Sequence, residues 1–235
     1  MQILHLSTAL PANGYSTEEL IDDFPCKLPE GVKQNALNSG VSKRYFIDQP
    51  ATPKPESILS EAGVVDLCGE ACEKAVEKAK LSHSETDYLA AAYDVNPFLS
   101  PGLSQLLVAK LGFSSYVGHV NVQGIASTAF PKTLEIASNY LEVHPDDHVL
   151  ICVSGVSSYW FHNQVRGMKD VMEIGDINKI SDKTKREFEL RKWIAAMEFF
   201  LFGDGAAAAI VTKEAKGLSV KRMVEVTNVE KKDYL

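Results

Sequence analysis

Asn121-Val122-Gln123-Gly124-Ile125-Ala126-Ser127-Thr128, followed by an amphipathic pattern from Ala129 to Leu141, is the stretch that decides the fold. A β-branched run that passes through glycine straight into a helix is a strand-to-helix elbow. Such an elbow gathers the first helical side chain and several free backbone N–H groups at one spot. A helix N-terminus lowers a thiol's pKa and stabilises a developing oxyanion, so a cysteine at this point would be a strong nucleophile. The residue there is Ile125, which can do no covalent chemistry.

Outward from the elbow, short apolar segments alternate with helical patterns. Met1–Leu10 reads as a first strand closed by Pro11-Ala12-Asn13-Gly14, and Ser16-Thr17-Glu18-Glu19-Leu20 as a capped helix start. The three prolines in residues 48–57 mark a linker. From Ser57 to Lys80, Val64, Leu67, Cys68, Ala71, Cys72 and Ala75 recur at helical spacing and predict one long helix with a buried stripe. Asp87–Tyr93 reads as a buried strand, and Pro101–Leu111 as a helix with proline in its first turn. Phe113–Val122 is expected to be the strand entering the elbow, Ala126–Leu141 the helix leaving it, and His148–Val156 the next strand. Residues 206–213 and 218–227 read as two final strands. This alternation predicts an α/β fold with a mostly parallel sheet.

The interval 157–200 breaks the rhythm with aromatics and the charged run Asp182-Lys183-Thr184-Lys185-Arg186-Glu187. It is expected to be a helical insertion, mobile around residues 175–184, covering the mouth of the elbow.

Four motifs in register resemble the ketoacyl-synthase III and chalcone-synthase-like condensing enzymes of the thiolase superfamily. They are Gly40-Val41-Ser42-Lys43-Arg44-Tyr45, Leu111-Gly112 leading to Gln123-Gly124, Val149-Leu150-Ile151-Cys152-Val153, and Leu201-Phe202-Gly203-Asp204-Gly205-Ala206-Ala207-Ala208. The resemblance runs from about Met1 to about Val211 and implies a thiolase-like layered fold, residues 1–235 forming its N-terminal half. It implies a substrate site at Gly124, Ile125, Ala126, Gly203 and Gly205, with Ile125 at the position of the acyl-accepting cysteine. The family's catalytic histidine and asparagine lie in a C-terminal half beyond the chain's last motif. The basic residues that accompany coenzyme A use are reduced to Lys33 within residues 31–38. No cofactor and no metal is expected.

Rival readings at each candidate are plainer. Ile125 can be ordinary core. Ser127 and Thr128 fit N-caps of the elbow helix better than nucleophiles, since no base is evident. Gly155-Val156-Ser157-Ser158-Tyr159 ends in tyrosine and so is not the hydrolase G-x-S-x-G elbow. Cys68 and Cys72 share a helix face with alanines, which favours core over a metal half-site. His144 and His148 flank Pro145-Asp146-Asp147 in a surface turn, and His119 precedes the elbow by too much extended chain to act as its base. Gly203-Asp204-Gly205 lacks the lysine of a phosphate loop and reads as a tight turn. The Lys183–Lys192 charges alternate in sign like a solvated face, with a carrier-protein docking patch as the alternative.

Composition sets outer bounds. The 235 residues are 45% hydrophobic and 23% charged, as in an ordinary globular protein. A net charge of −7 argues against nucleic acid or an anionic membrane as partner. The spacing of Cys26, Cys68, Cys72 and Cys152 is not that of a disulfide framework, no signal sequence is evident, and no apolar run is long enough to span a membrane. A cytoplasmic location is the expectation. The leading functional expectation is a condensing-enzyme homologue that has lost its nucleophile and serves as a structural or regulatory subunit of an acyltransferase complex. An active acyltransferase working without a covalent cysteine intermediate, and a non-catalytic acyl-chain binder, are the alternatives. The resemblance implies a homo- or heterodimer with a thiolase-fold subunit, pairing through Phe113–Gln123, and acyl-CoA or acyl carrier protein as further partners.

Overall fold

A computed structural model describes residues 1–47, 61–93 and 100–226. The elements are β1 (Gln2–Ala9), β2 (Asn13–Ser16), α1 (Thr17–Asp22), α2 (Glu30–Leu37), β3 (Lys43–Phe46), α3 (Glu61–Ala79), β4 (Tyr88–Tyr93) and α4 (Leu103–Leu111). They continue as β5 (Gly118–Gln123), α5 (Ala129–Val143), β6 (Val149–Val156), α6 (Ser157–Val165), α7 (Ile174–Ile177), α8 (Lys183–Leu201), β7 (Asp204–Thr212) and β8 (Leu218–Ser219).

The central sheet has the order β5-β4-β6-β7-β1-β8. β4 runs parallel to both β5 and β6, β7 is antiparallel to β6 and β1, and β8 is antiparallel to β1. Four of these six strands (β5, β4, β6 and β1) therefore point the same way, and the α/β reading with a mostly parallel sheet holds.

Small side chains explain how closely the helices sit. On α3, Cys68, Ala71, Cys72 and Ala75 are fully buried while Glu73, Lys74, Glu77 and Lys78 face solvent. This is a helical stripe laid on β1, β6 and β7. α5 covers the opposite face with Leu134, Ala137 and Leu141, packed on Ile3, Ala90, Ile151 and Ala209. The Cys152 Sγ lies 4.0 Å from the Cys68 carbonyl between β6 and α3, and all four cysteines are free thiols. Hydrogen bonding among the neighbouring thiols, together with burial, raises Cys68 and Cys152 well above their ordinary value, so these two are packing groups rather than nucleophiles.

A second core lies apart from the sheet. Leu20, Phe24, Phe46, Val165, Phe199 and Phe200 join α1, α2 and β3 to α6 and α8. The interval 157–200 is thus drawn to the α1–α2 side, not over the elbow, and Gly175 sits inside α7. Its expected place as a cover is corrected by this apolar cluster.

Four boundaries differ from the sequence reading for local reasons. Asn13 and Gly14 open β2 instead of closing a loop, and Gly14 lets the Lys43 and Tyr45 side chains of β3 cross it. Pro101 precedes the N-cap Gly102, so it lies outside the first turn of α4. Phe113 does not begin a strand: Gly112 ends α4 in the left-handed conformation (φ +64°), a turn closes from Val117 N–H to the Ser114 carbonyl, and β5 starts at Gly118. In the second final strand only Leu218 and Ser219 pair, because the register with β1 brings Val220 to Met1 and residues 221–226 run on past that end. The linker at 48–57 lies outside the described residues, as do residues 57–60 of the expected long helix.

The capped start of α1 is as read. Ser16 Oγ accepts from Glu19 N–H at 3.1 Å, and Glu19 Oε2 accepts from Ser16 N–H at 2.7 Å. Replacing Ser16 with alanine is expected to cost about 1 kcal/mol, read as a lower denaturant midpoint with an unchanged slope.

Candidate functional site

The strand-to-helix elbow is present, but the chain does not pass straight into the helix: a 3₁₀ turn, Ala126–Thr128, intervenes and α5 begins at Ala129 rather than Ala126. β5 ends at Gln123, Gly124 turns at φ +74°, Ile125 sits at φ −120°, ψ 7°, and Ala126 is held at φ +43°. A non-glycine residue in that left-handed region is strained by about 1 kcal/mol. The turn Ala126–Thr128 then leads into α5. Thr128 stands at the N-cap position of α5, but its side chain makes no capping hydrogen bond. Its N–H and hydroxyl both donate back to the Ile125 carbonyl, at 3.1 and 2.5 Å, and no side chain caps the helix. The N-cap reading of Ser127 and Thr128 is corrected accordingly.

Beside the elbow runs a groove of about 340 Å³ between α5's first turn and the ends of β1, β6 and β7. Ala126, Ser127, Ala129 and Phe130 form one wall, and Thr8, Leu10, Val153, Gly155, Gly205 and Ala207 form much of the rest. Among the described residues, no lining side chain is ionisable at neutral pH and none comes from residues 157–203. Of the residues that the sequence pointed to, Ala126 and Gly205 meet in this groove. Gly124 and the half-buried Ile125 lie in the turn itself. Gly203 is elsewhere: a Cβ there would come within 3.1 Å of the Tyr45 carbonyl oxygen, so this glycine lets β3 cross the chain.

Asp204 has a role that the sequence hid. It is 3% exposed. Its carboxylate accepts from Ile47 N–H (2.9 Å), Ser158 N–H (2.9 Å) and the Ser158 hydroxyl (2.6 Å). It thereby ties the end of β3 and the N-terminus of α6 to the start of β7. Burial raises its pKa while these donors oppose the rise. Ser158, from the rejected G-x-S-x-G segment, is thus a structural donor.

A second polar seam runs along β5. Ser104 N–H donates to Asn121 Oδ1 (3.3 Å), Asn121 Nδ2 donates to the Tyr93 hydroxyl (3.1 Å), and that hydroxyl donates to Gln123 Oε1 (3.0 Å). His119 is bonded to the Ser104 hydroxyl at 3.2 Å, at the far end of this seam from the elbow. His144 stacks on Tyr140 at 4.5 Å beside Asp147, and His148 lies 4.0 Å from Asp87. Among the described residues no group of three or more His, Cys, Asp or Glu could hold a metal ion. Arg44 is 2% exposed, its guanidinium donating to the Thr17 hydroxyl (2.5 Å) and the Ser39 hydroxyl (3.2 Å). On α8, Lys192 is tied to Asp170 and Glu189, and since the Lys192 and Glu189 side chains are only 15% and 11% exposed, this end of the charged run is not the solvated face expected of it.

Known structures share the overall arrangement of this chain. The 1,3,6,8-tetrahydroxynaphthalene synthase of Streptomyces coelicolor, a type III polyketide synthase, superposes with a TM-score of 0.73 at 18% identity, over 94% of this chain and 60% of that one. This chain has the thiolase-like fold. The 3-oxoacyl-[acyl-carrier-protein] synthase III of Aquifex aeolicus matches this fold with a TM-score of 0.59 at 18% identity, covering 91% and 54% of the two chains. In sequence, this chain is 24% identical over 163 residues to the 3,5-dihydroxyphenylacetyl-CoA synthase of Amycolatopsis balhimycina, and 22% identical over 217 residues to that of Streptomyces toyocaensis. These alignments take in 65% and 88% of this chain but 43% and 48% of the relatives, so it spans less than half of their length. No family model matches the sequence. Among the described residues no helix of this thiolase-like chain is long and apolar enough to cross a membrane.

Proposed function

We propose that this thiolase-like chain is a condensing-enzyme homologue whose own acyl-transfer site is disabled, and that it serves as a structural or regulatory subunit of an acyltransferase complex. One observation carries the reading. The elbow has a strained geometry, Ala126 at positive φ included, while presenting isoleucine beside a groove with no ionisable side chain among the described residues. Covalent acyl transfer needs a nucleophile and an adjacent base, and among the described residues this groove has hydroxyls but no base to activate one. The partner is a thiolase-fold subunit that pairs along β5. β5 is the end strand of the sheet, and its outer edge carries no strand among the described residues, which leaves backbone N–H and C=O groups open for pairing. Gly124, Ile125, Ala126 and Gly205 are the residues proposed to face an acyl thioester.

Intact-protein mass spectrometry after incubation with acyl-CoA and acyl-carrier thioesters tests this. The natural chain is expected to gain no acyl mass, and Ile125→Cys is expected to gain one acyl group per chain. A stable adduct on the natural chain would overturn the reading, because another residue would then be the nucleophile.

A further inference from the structure

Residues 220–226 carry strand-forming side chains, Val220, Val224 and Val226 among them, yet only Leu218 and Ser219 before them join the sheet. What holds the rest is confined to its two ends. At one end Val220 N–H donates to the Met1 carbonyl (3.1 Å), and the Val220 side chain packs against the core cluster under α5. At the other, Glu225 accepts from Lys132 Nζ in the first turns of α5 (2.6 Å), across 93 positions of sequence. Between these ends, among the described residues, no hydrogen bond holds the segment. Met223, Val224 and Val226 are 38%, 69% and 85% exposed, so they bury little apolar surface. The segment stands off the helix as the outer wall of a cavity of about 380 Å³, whose inner wall is Thr128, Pro131, Lys132 and Glu135.

Lys132 makes this arrangement reversible. Its ammonium is shared: Glu135, three residues further along α5, accepts at 2.7 Å beside Glu225, and the two carboxylates hold its pKa above the ordinary value. When Glu225 leaves, Lys132 keeps Glu135 and Glu225 passes into water, so neither charge is stranded. An exposed ion pair is weak and is screened by salt, and the latched and released states therefore lie close in free energy. We propose that residues 220–226 are a strap, hinged where Val220 meets Met1 and latched where Glu225 meets Lys132. Latched, it closes the cavity over the first turns of α5; released, it turns that cavity into a free face on the helix that follows the elbow. The proposal does not rest on the condensing-enzyme reading, since it needs only the latch and the unpacked segment. The cavity shares no lining residue with the groove beside the elbow.

Backbone amide nuclear relaxation of the full chain tests this, read as order parameters for residues 222–226. In the natural protein at low salt they are expected near the rigid-backbone value of about 0.85, and in Glu225→Lys below about 0.6. Salt at about 1 M, where the screening length falls to about 3 Å, is expected to lower them in the natural chain as well. Combining Lys132→Glu with Glu225→Lys again sets one ammonium between two carboxylates, and is expected to restore the order. Both side chains lie at the surface, so neither change threatens folding, and order parameters in β4 and β6 are expected to stay unchanged. A strap equally ordered in Glu225→Lys, one already mobile in the natural chain at low salt, no response to salt, or a double variant as mobile as the single one would each overturn the proposal.

Discussion

Asp204→Ala is expected to lower the unfolding free energy by about 3–5 kcal/mol, the largest effect of any substitution at the turn into β7. The change removes the acceptor for Ile47 N–H, Ser158 N–H and the Ser158 hydroxyl at once. Each buried donor left without a partner costs about 1–3 kcal/mol. A domain stable by about 5–15 kcal/mol in total loses a large share of that margin. Urea unfolding measures it, and a loss below about 1 kcal/mol would show that water replaces the carboxylate and that the knot is not structural. The pH dependence has a definite sign. Burial holds the folded pKa of Asp204 above its ordinary value of 3.8. The folded state therefore keeps the proton more tightly, so this group's contribution is fully present below the unfolded pKa and is lost as pH rises through the folded one. Asp204→Asn cannot ionise and keeps one acceptor oxygen. Its stability deficit relative to the natural chain should therefore shrink as pH is raised from about 4 toward neutrality. A deficit that grows over that range would contradict the burial argument.

What was legible in the sequence was whatever is local. The stripe on α3 repeats at helical spacing, the Ser16/Glu19 box spans three residues, and the elbow is one unbroken stretch from Asn121 to Thr128. The hidden features join distant segments. Asp204 meets Ile47 from 157 positions away and Ser158 from 46, so a lone aspartate between two glycines looks like an ordinary turn residue. β2 is four residues long and contains Asn13-Gly14, which reads as loop until β3 is beside it. The elbow's shape could be read, but not its surroundings. The groove's lack of ionisable groups depends on which ends of β1, β6 and β7 come together around α5. Covering of the elbow by residues 157–200 failed as an expectation for the same reason. The aromatic residues that anchor this interval find their partners in α1 and β3, more than a hundred positions away.

Those anchors give the second large effect. Phe199 is 2% exposed, with ring centroids 5.4 Å from Phe24, 5.2 Å from Phe200 and 5.3 Å from His162. Phe199→Ala is expected to cost about 3–5 kcal/mol through lost burial and the cavity left behind. Where that cost falls is the informative part. The second core shares no buried residue with the clusters on either face of the sheet, whereas Asp204 ties the two regions through β3 and α6. If residues 157–200 are an insertion that folds as its own cooperative unit with α1 and α2, native-state hydrogen exchange of Phe199→Ala will show faster exchange in α1, α2, α6 and α8. Protection in β4 and β6 will then be nearly unchanged. That localised loss is the expected result, because α8 packs on α2, α6 and α7 and the sheet helices α3 and α5 keep their own cores. An equal loss of protection in β4 and β6 would mean that the Asp204 tie makes one unit of both cores, and the interval would then be an integral layer of the domain rather than an insertion.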